Sequence, residues 1–341
     1  MKSRIAKLAL GYGAVMAAWG GYSCAVRNRP LPAGAEAEEY KKSLLQAIGS
    51  PELYGTWREE ILPAGGRQLH LYHFESEPGD PVMVFMHGTS IGALFFVKFM
   101  YELSRQGFNV VGMDARGHGF SGGKRGDYTL GGLVEDALAV IDYAIDAYGD
   151  KVAISGTSQG GMTAFYCAAA EPRLKAAVCH TMTAPDEPDN YRITRWPGLY
   201  RILMATQPLA QPFIDLLGSR LMVPIAAYLD DRAEVTKAIP SLHDFIEQDP
   251  LALHAVSLAA LTSLADTPMA RKAEDIETPV MVVYGGRDNI FPEDYVRRVY
   301  GRLTCRKEFL YLPQAPHLII LDYVDETVPP IAAWLKEVMG A

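Results

Sequence analysis

Apolar and polar positions along the chain fall into two alternating patterns. Residues 82–86 (Val-Met-Val-Phe-Met) form an unbroken apolar run between Gly79-Asp80-Pro81 and His87-Gly88, the pattern of a strand buried on both faces. Comparable runs at 109–113, 152–155, 176–180, 279–284 and 308–312 predict further strands. Between them, apolar positions recur at helical spacing over 93–105, 133–147, 162–170, 292–303 and 322–338. Two earlier strand-like runs, 57–62 and 68–74, flank Ala64-Gly65-Gly66, a hairpin signal. Regular alternation of this kind predicts an α/β fold with a mostly parallel central sheet flanked by helices.

The alternation stops after Thr183 and resumes at Pro279. Residues 184–272 hold helix-like stretches at 199–204, 212–217 and 251–264 and no clear strand. So long a segment is more than a loop, and it reads as a helical cap inserted between two late strands. The expected division is therefore a core of 55–183 and 273–341, a cap of 184–272, and a linker with a short helix over 31–54.

Residues 1–30 form an N-terminal membrane anchor or signal segment. Lys2, Arg4 and Lys7 precede an uncharged stretch over 8–26, and Arg27 and Arg29 follow it. The stretch approaches the roughly 20 residues that a helix needs to span a bilayer. Gly21-Tyr22-Ser23 before Cys24 also offers a small-x-small cleavage pattern. The expectation is a membrane-associated or exported protein, or a cytoplasmic one if the segment is only peripheral.

Composition narrows the function. Of 341 residues, 49% are hydrophobic and 21% charged, enough apolar surface for a sizeable core. A net charge of −8 without a basic patch argues against a nucleic-acid partner. Cys24, Cys167, Cys179 and Cys305 are too scattered for a disulfide framework or a zinc site, and Cys167 and Cys179 read as core residues.

The strongest chemical signal is Gly156-Thr157-Ser158-Gln159-Gly160, between a predicted strand and a predicted helix. A serine held on so sharp a turn lies in a strained backbone conformation, and the strand and helix approach closely, so the residues two before and two after must be small. The turn lifts the hydroxyl above the sheet and aims the N–H groups of the helix start at a reacting carbonyl. His87-Gly88-Thr89-Ser90 follows the 82–86 strand, where glycine permits a sharp turn. The backbone N–H groups of Thr89 and Gln159 are the expected oxyanion donors. In Asp114-Ala115-Arg116-Gly117-His118-Gly119-Phe120-Ser121-Gly122, Asp114, Arg116 and His118 read as braces of a tight loop.

This series of turns, followed by a helical insertion and a late histidine, resembles the α/β-hydrolase superfamily. Within it the chain is similar to the monoglyceride lipase, lysophospholipase and serine-aminopeptidase branch, over about residues 55 to 338. The resemblance implies an acid after the strand that follows the insertion, where Gly285-Gly286-Arg287-Asp288 supplies Asp288. It implies a base in the loop after the last strand, where Pro316-His317-Leu318 supplies His317. Asp186 is the rival acid. Gln159 departs from the Met or Leu common in the branch, but the family uses that residue's backbone.

The expected activity is hydrolysis of carboxylic esters through an acyl-enzyme on Ser158, with small apolar or lipid-like substrates such as monoacylglycerol or lysophospholipid, and no metal or other cofactor. Two rivals use the same triad. An acyltransferase would pass the acyl group to an alcohol, and an aminopeptidase would hold a substrate amine with acids such as Asp186, Glu187, Asp189 and Asp230–Asp231. A non-catalytic ligand-binding relative is disfavoured because no triad member is missing.

Overall fold

The computed structural model describes residues 28–340, apart from 231, 233–235 and 240. Residues 1–27 of the anchor or signal segment, Cys24 among them, lie outside the described residues. Eight strands form one sheet: β1 (Arg58–Ala64), β2 (Arg67–Phe74), β3 (Val82–Met86), β4 (Asn109–Met113), β5 (Val152–Thr157), β6 (Ala176–His180), β9 (Val280–Gly285) and β10 (Lys307–Leu312). Their order is β1-β2-β4-β3-β5-β6-β9-β10. The β1–β2 and β2–β4 pairs are antiparallel and the rest parallel.

The unbroken apolar runs are explained by burial on two sides. In β3, Val82, Val84 and Met86 enter one core while Met83 and Phe85 enter the other. The first core is covered by α3 (Leu130–Tyr148), α4 (Gln159–Ala170) and α8 (Glu293–Arg302). The second is covered by α2 (Val97–Ser104) and α10 (Val324–Met339), with α9 (Ile319–Asp322) leading into α10. Leu44 and Leu45 of α1 (Ala35–Ala47) also enter the second core. The stretch read as a linker with a short helix is thus docked on the sheet layer.

Several bounds move for identifiable reasons. Helix α3 begins at Leu130 because Thr129 caps it, its side chain accepting from the Gly132 N–H; Gly131 and Gly132 hid that start from the pattern. The 93–105 stretch divides into a 3-10 turn, Ala93–Phe96, and α2.

Between β6 and β9 lie α5 (Pro197–Leu217), β7 (Met222–Pro224), α6 (Leu242–Gln248), β8 (Ala255–Ser257) and α7 (Leu258–Asp266). The two short helices expected over 199–217 are one, continuous through Pro208 and Pro212. The segment also contains strands, contrary to expectation: β7 and β8 pair antiparallel, with Val223 opposite Val256. Three-residue strands are too short to leave an alternation. The helix expected from 251 starts only at Leu258, where the Ser257 side chain accepts from the Ala260 N–H. An apolar cluster joins Val223, Ile225, Leu253 and Val256 of this segment to Ala115, Tyr128 and Leu133 beneath it.

Candidate active site

Because β3 and β5 are adjacent and parallel, with Met86 opposite Gly156, the turns that leave their C-terminal ends lie side by side. That is where open α/β sheets present ligand sites. Ser158 sits in the turn from β5 to α4 with φ 55° and ψ −122°, a conformation that costs a non-glycine residue about 1–3 kcal/mol. The neighbouring glycines are obligatory. A Cβ at Gly156 would lie 2.1 Å from the Gly160 carbonyl oxygen, and one at Gly160 would lie 2.2 Å from that of Met86. The Ser158 N–H donates to the His180 carbonyl at 3.0 Å. Among the described residues three non-glycines have positive φ, namely Ser90, Ser158 and Thr181. All three sit in turns at the C-terminal ends of β3, β5 and β6, so the backbone strain is gathered at one place.

The loop after β3 runs against the serine: a Cβ at Gly88 would approach the Ser158 Cβ to 3.1 Å. His87, fully packed, fixes this loop. Its Nε2 accepts from the Ala115 N–H at 2.9 Å, which leaves Nδ1 to donate to the Gly88 carbonyl at 2.7 Å. Burial lowers its pKa, so it is a neutral brace. The Thr89 hydroxyl donates to Gln159 Oε1 at 3.0 Å, a cross-link between the two residues expected to supply oxyanion N–H groups. Gln159 opens α4, where the first N–H groups have no acceptor inside the helix.

Asp288 and His317 are brought together. Gly285, at the end of β9, packs so tightly under the histidine loop that a Cβ there would lie 2.5 Å from the Pro316 carbonyl oxygen. The turn after it presents Asp288, whose Oδ1 accepts from the N–H groups of Ile290 and Phe291 at 2.8 and 2.9 Å. Its Oδ2 lies 2.8 Å from His317 Nδ1, and both side chains are buried. Phe291 stacks on the imidazole, with ring centroids 5.4 Å apart and planes 7° from parallel. Nothing in the chain's pattern singled out Phe291, although it stands three residues from Asp288.

The rival acid is elsewhere. Asp186 forms a two-pronged pair with Arg302 at 2.9 and 2.6 Å, and that bond is the chief cause that lowers its pKa. The loop after β4 is braced as its residues suggested. Asp114 accepts from Tyr72 and from the N–H groups of Ala93 and Phe120. Arg116 grips Asp136 at 2.6 and 2.7 Å, and His118 Nδ1 meets the Arg116 carbonyl. Cys167 and Cys179 are buried and unbridged.

A cavity of about 60 Å³ opens one helical turn beyond Ser158, lined by Met162, Ile193, Tyr228, Leu229, Leu261 and Leu264 among others. Among the described residues no cluster of histidine, cysteine or carboxylate side chains could hold a metal ion.

Sheet order, the strained serine turn and the buried imidazole–carboxylate pair together define an α/β hydrolase. The chain belongs to the serine aminopeptidase (S33) family of hydrolases, whose family model matches residues 77–323. A monoacylglycerol lipase from Paleococcus ferrophilus superposes with a TM-score of 0.61 at 25% identity, covering 79% of this chain and 99% of that one. The α/β-hydrolase superfamily protein YisY of Bacillus subtilis is 26% identical over 226 residues, 65% of this chain and 79% of its own. A bifunctional esterase/perhydrolase of Acinetobacter calcoaceticus is 22% identical over 257 residues, 73% of this chain and 90% of its own.

Proposed function

We propose that this hydrolase cleaves carboxylic esters of small apolar or lipid-like molecules through an acyl-enzyme on Ser158. His317 takes the Ser158 proton as the oxygen attacks the acyl carbon, then returns it to the leaving alcohol. Asp288 holds the imidazole with Nδ1 protonated and stabilises its charged form. The backbone N–H groups of Thr89 and Gln159 receive the negative charge that develops on the carbonyl oxygen. Water, activated by the same histidine, releases the acid. The buried 2.8 Å contact between His317 and Asp288, together with a serine held at positive φ, carries this reading.

Two observations favour an ester over a peptide with a free amine. The cavity beyond Met162 is lined largely by apolar side chains, which suits an acyl chain. Of the acids that could have held an amine, Asp186 and Glu187 are already paired with Arg302, and Asp189 with Arg192 and Arg298. We further propose that segment 184–272 caps Ser158 and that the apolar stretch over 8–26 tethers the enzyme to a membrane where amphiphilic substrates partition. Among the described residues no helix is long and apolar enough to cross a bilayer.

A panel of p-nitrophenyl esters of increasing acyl length tests this reading. We expect kcat/KM to climb by up to about fourfold for each methylene the cavity buries, then level off. Turnover of amino-acid p-nitroanilides without ester turnover would replace the reading with an aminopeptidase, and acyl transfer to added glycerol in preference to water would replace it with an acyltransferase.

A further inference from the structure

We propose that Asn28, at the start of the described residues, is a positioning residue for the loop that carries Thr89. The inference rests on the reading of Thr89 as an oxyanion donor. Asn28 uses both ends of its amide. Oδ1 accepts from the N–H groups of His254 and Ala255 at 2.8 and 3.1 Å. Nδ2 donates to the carbonyls of Ala255 and Arg125 at 2.9 and 3.0 Å. All four bonds are to main chain about a hundred residues or more away, so the side chain clamps two distant segments to each other.

The seat for this amide is carved. Gly126 adopts φ +76°, and a Cβ on it would lie 2.7 Å from Asn28 Nδ2 and 2.4 Å from the Ala255 carbonyl oxygen. Any side chain at 126 would expel the clamp. Arg29 extends the grip, its guanidinium donating to the Glu247 and Gln248 carbonyls at the end of α6.

The clamped segment reaches the site in one step. Leu253, next to His254 and wholly buried, donates its N–H to the Ser90 carbonyl at 2.7 Å. The Ser90 hydroxyl donates back to the Leu253 carbonyl at 2.7 Å. Ser90 has φ 80°, a conformation a serine keeps only where its surroundings impose it. The reciprocal pair with Leu253 imposes it here, and Thr89 is the preceding residue. Loss of Asn28 frees residues 254–255 to shift, loosens the Leu253–Ser90 pair and lets Ser90 relax. The Thr89 N–H then leaves the position where it meets the oxyanion.

The test uses the purified full-length chain in mild detergent, with p-nitrophenyl butyrate as substrate and the thermal midpoint read on the same samples. Asn28→Ala and Ser90→Ala are each expected to lower kcat about tenfold while KM stays within about threefold, since a displaced donor weakens the transition state more than the ground state. Asn28→Asp keeps the acceptor for His254 and Ala255 but sets a carboxylate oxygen against the Ala255 and Arg125 carbonyls, so its kcat should fall at least as far as that of Asn28→Ala; it also decides the question if the alanine variant does not fold. Because the two residues act along one chain of contacts, the double variant should be no more than about twofold below the worse single one. Asn28 variants that lose thermal stability but keep kcat within about twofold, or losses that multiply in the double variant, would overturn the proposal. A wild-type enzyme with no ester turnover would overturn it together with the reading on which it rests.

Discussion

Asp288 and Asp186 show how one residue type acquires two roles from its surroundings. Asp288 is buried against an imidazole and two main-chain N–H groups, whereas Asp186 is half exposed on an arginine. Asp288→Asn would keep the turn but leave Nδ1 of His317 without the carboxylate that fixes its tautomer. We expect kcat to fall about ten-thousand-fold with the fold intact. Asp186→Asn breaks an exposed pair worth at most about 1 kcal/mol and should leave kcat within about twofold; kinetics with short esters compares them directly, and the reverse ranking would move the acid to Asp186. Ser158 was legible because it stands in a turn whose glycines mark it in one dimension, and Asp288 and His317 became candidates through the resemblance to a family that places its acid and base in such turns. Asn28 and Ser90 were not, since their partners lie at positions 125, 253, 254 and 255 and no local pattern announces a bond across that distance.

At the scale of elements, β5, its turn and α4 act as one part. Gly160→Ala would drive a Cβ into main-chain oxygens of Met86 and His87 at 2.2 and 2.6 Å, and neither can retreat without moving β3. We expect a loss of about 3 kcal/mol or more in urea unfolding, at or above the usual range for overpacking, together with loss of ester turnover. Gly198, in the first turn of α5, has open space around it, so Gly198→Ala should be neutral or stabilising by up to about 1 kcal/mol. Equal behaviour of the two variants would mean that the serine turn is not the tight element described. Strands β3, β5, β6 and β9 were readable because burial on two faces leaves unbroken apolar runs. The segment between β6 and β9 was readable only as helical: its strands are three residues long, too short to leave an alternation of their own.

Across the whole molecule, buried histidines set the response to acid. Burial lowers His73 to about 4 and His180 to about 3, and lowers His87 and His118 as well. In the unfolded chain each titrates near 6.5. Their folded values are depressed, so the stability they contribute is complete above about 6.5 and is lost as pH falls through the window down to the folded values. Asp249 and Asp266, raised by burial, act in the opposite sense but are fewer. The urea midpoint should therefore be lower at about pH 5 than at about pH 7.5, with most carboxylates still ionised at both; an unchanged or higher midpoint at acid pH would mean that these imidazoles are not held neutral. The two-sided core, the eight-strand sheet and the serine turn all converge on one hydroxyl, and a fluorophosphonate probe reads that hydroxyl directly. The wild-type chain should be labelled at Ser158, and Ser158→Ala should lose both labelling and ester turnover, the latter by about a million-fold. Labelling that persists in Ser158→Ala, or turnover above about one per cent of wild type, would contradict the assignment of the nucleophile.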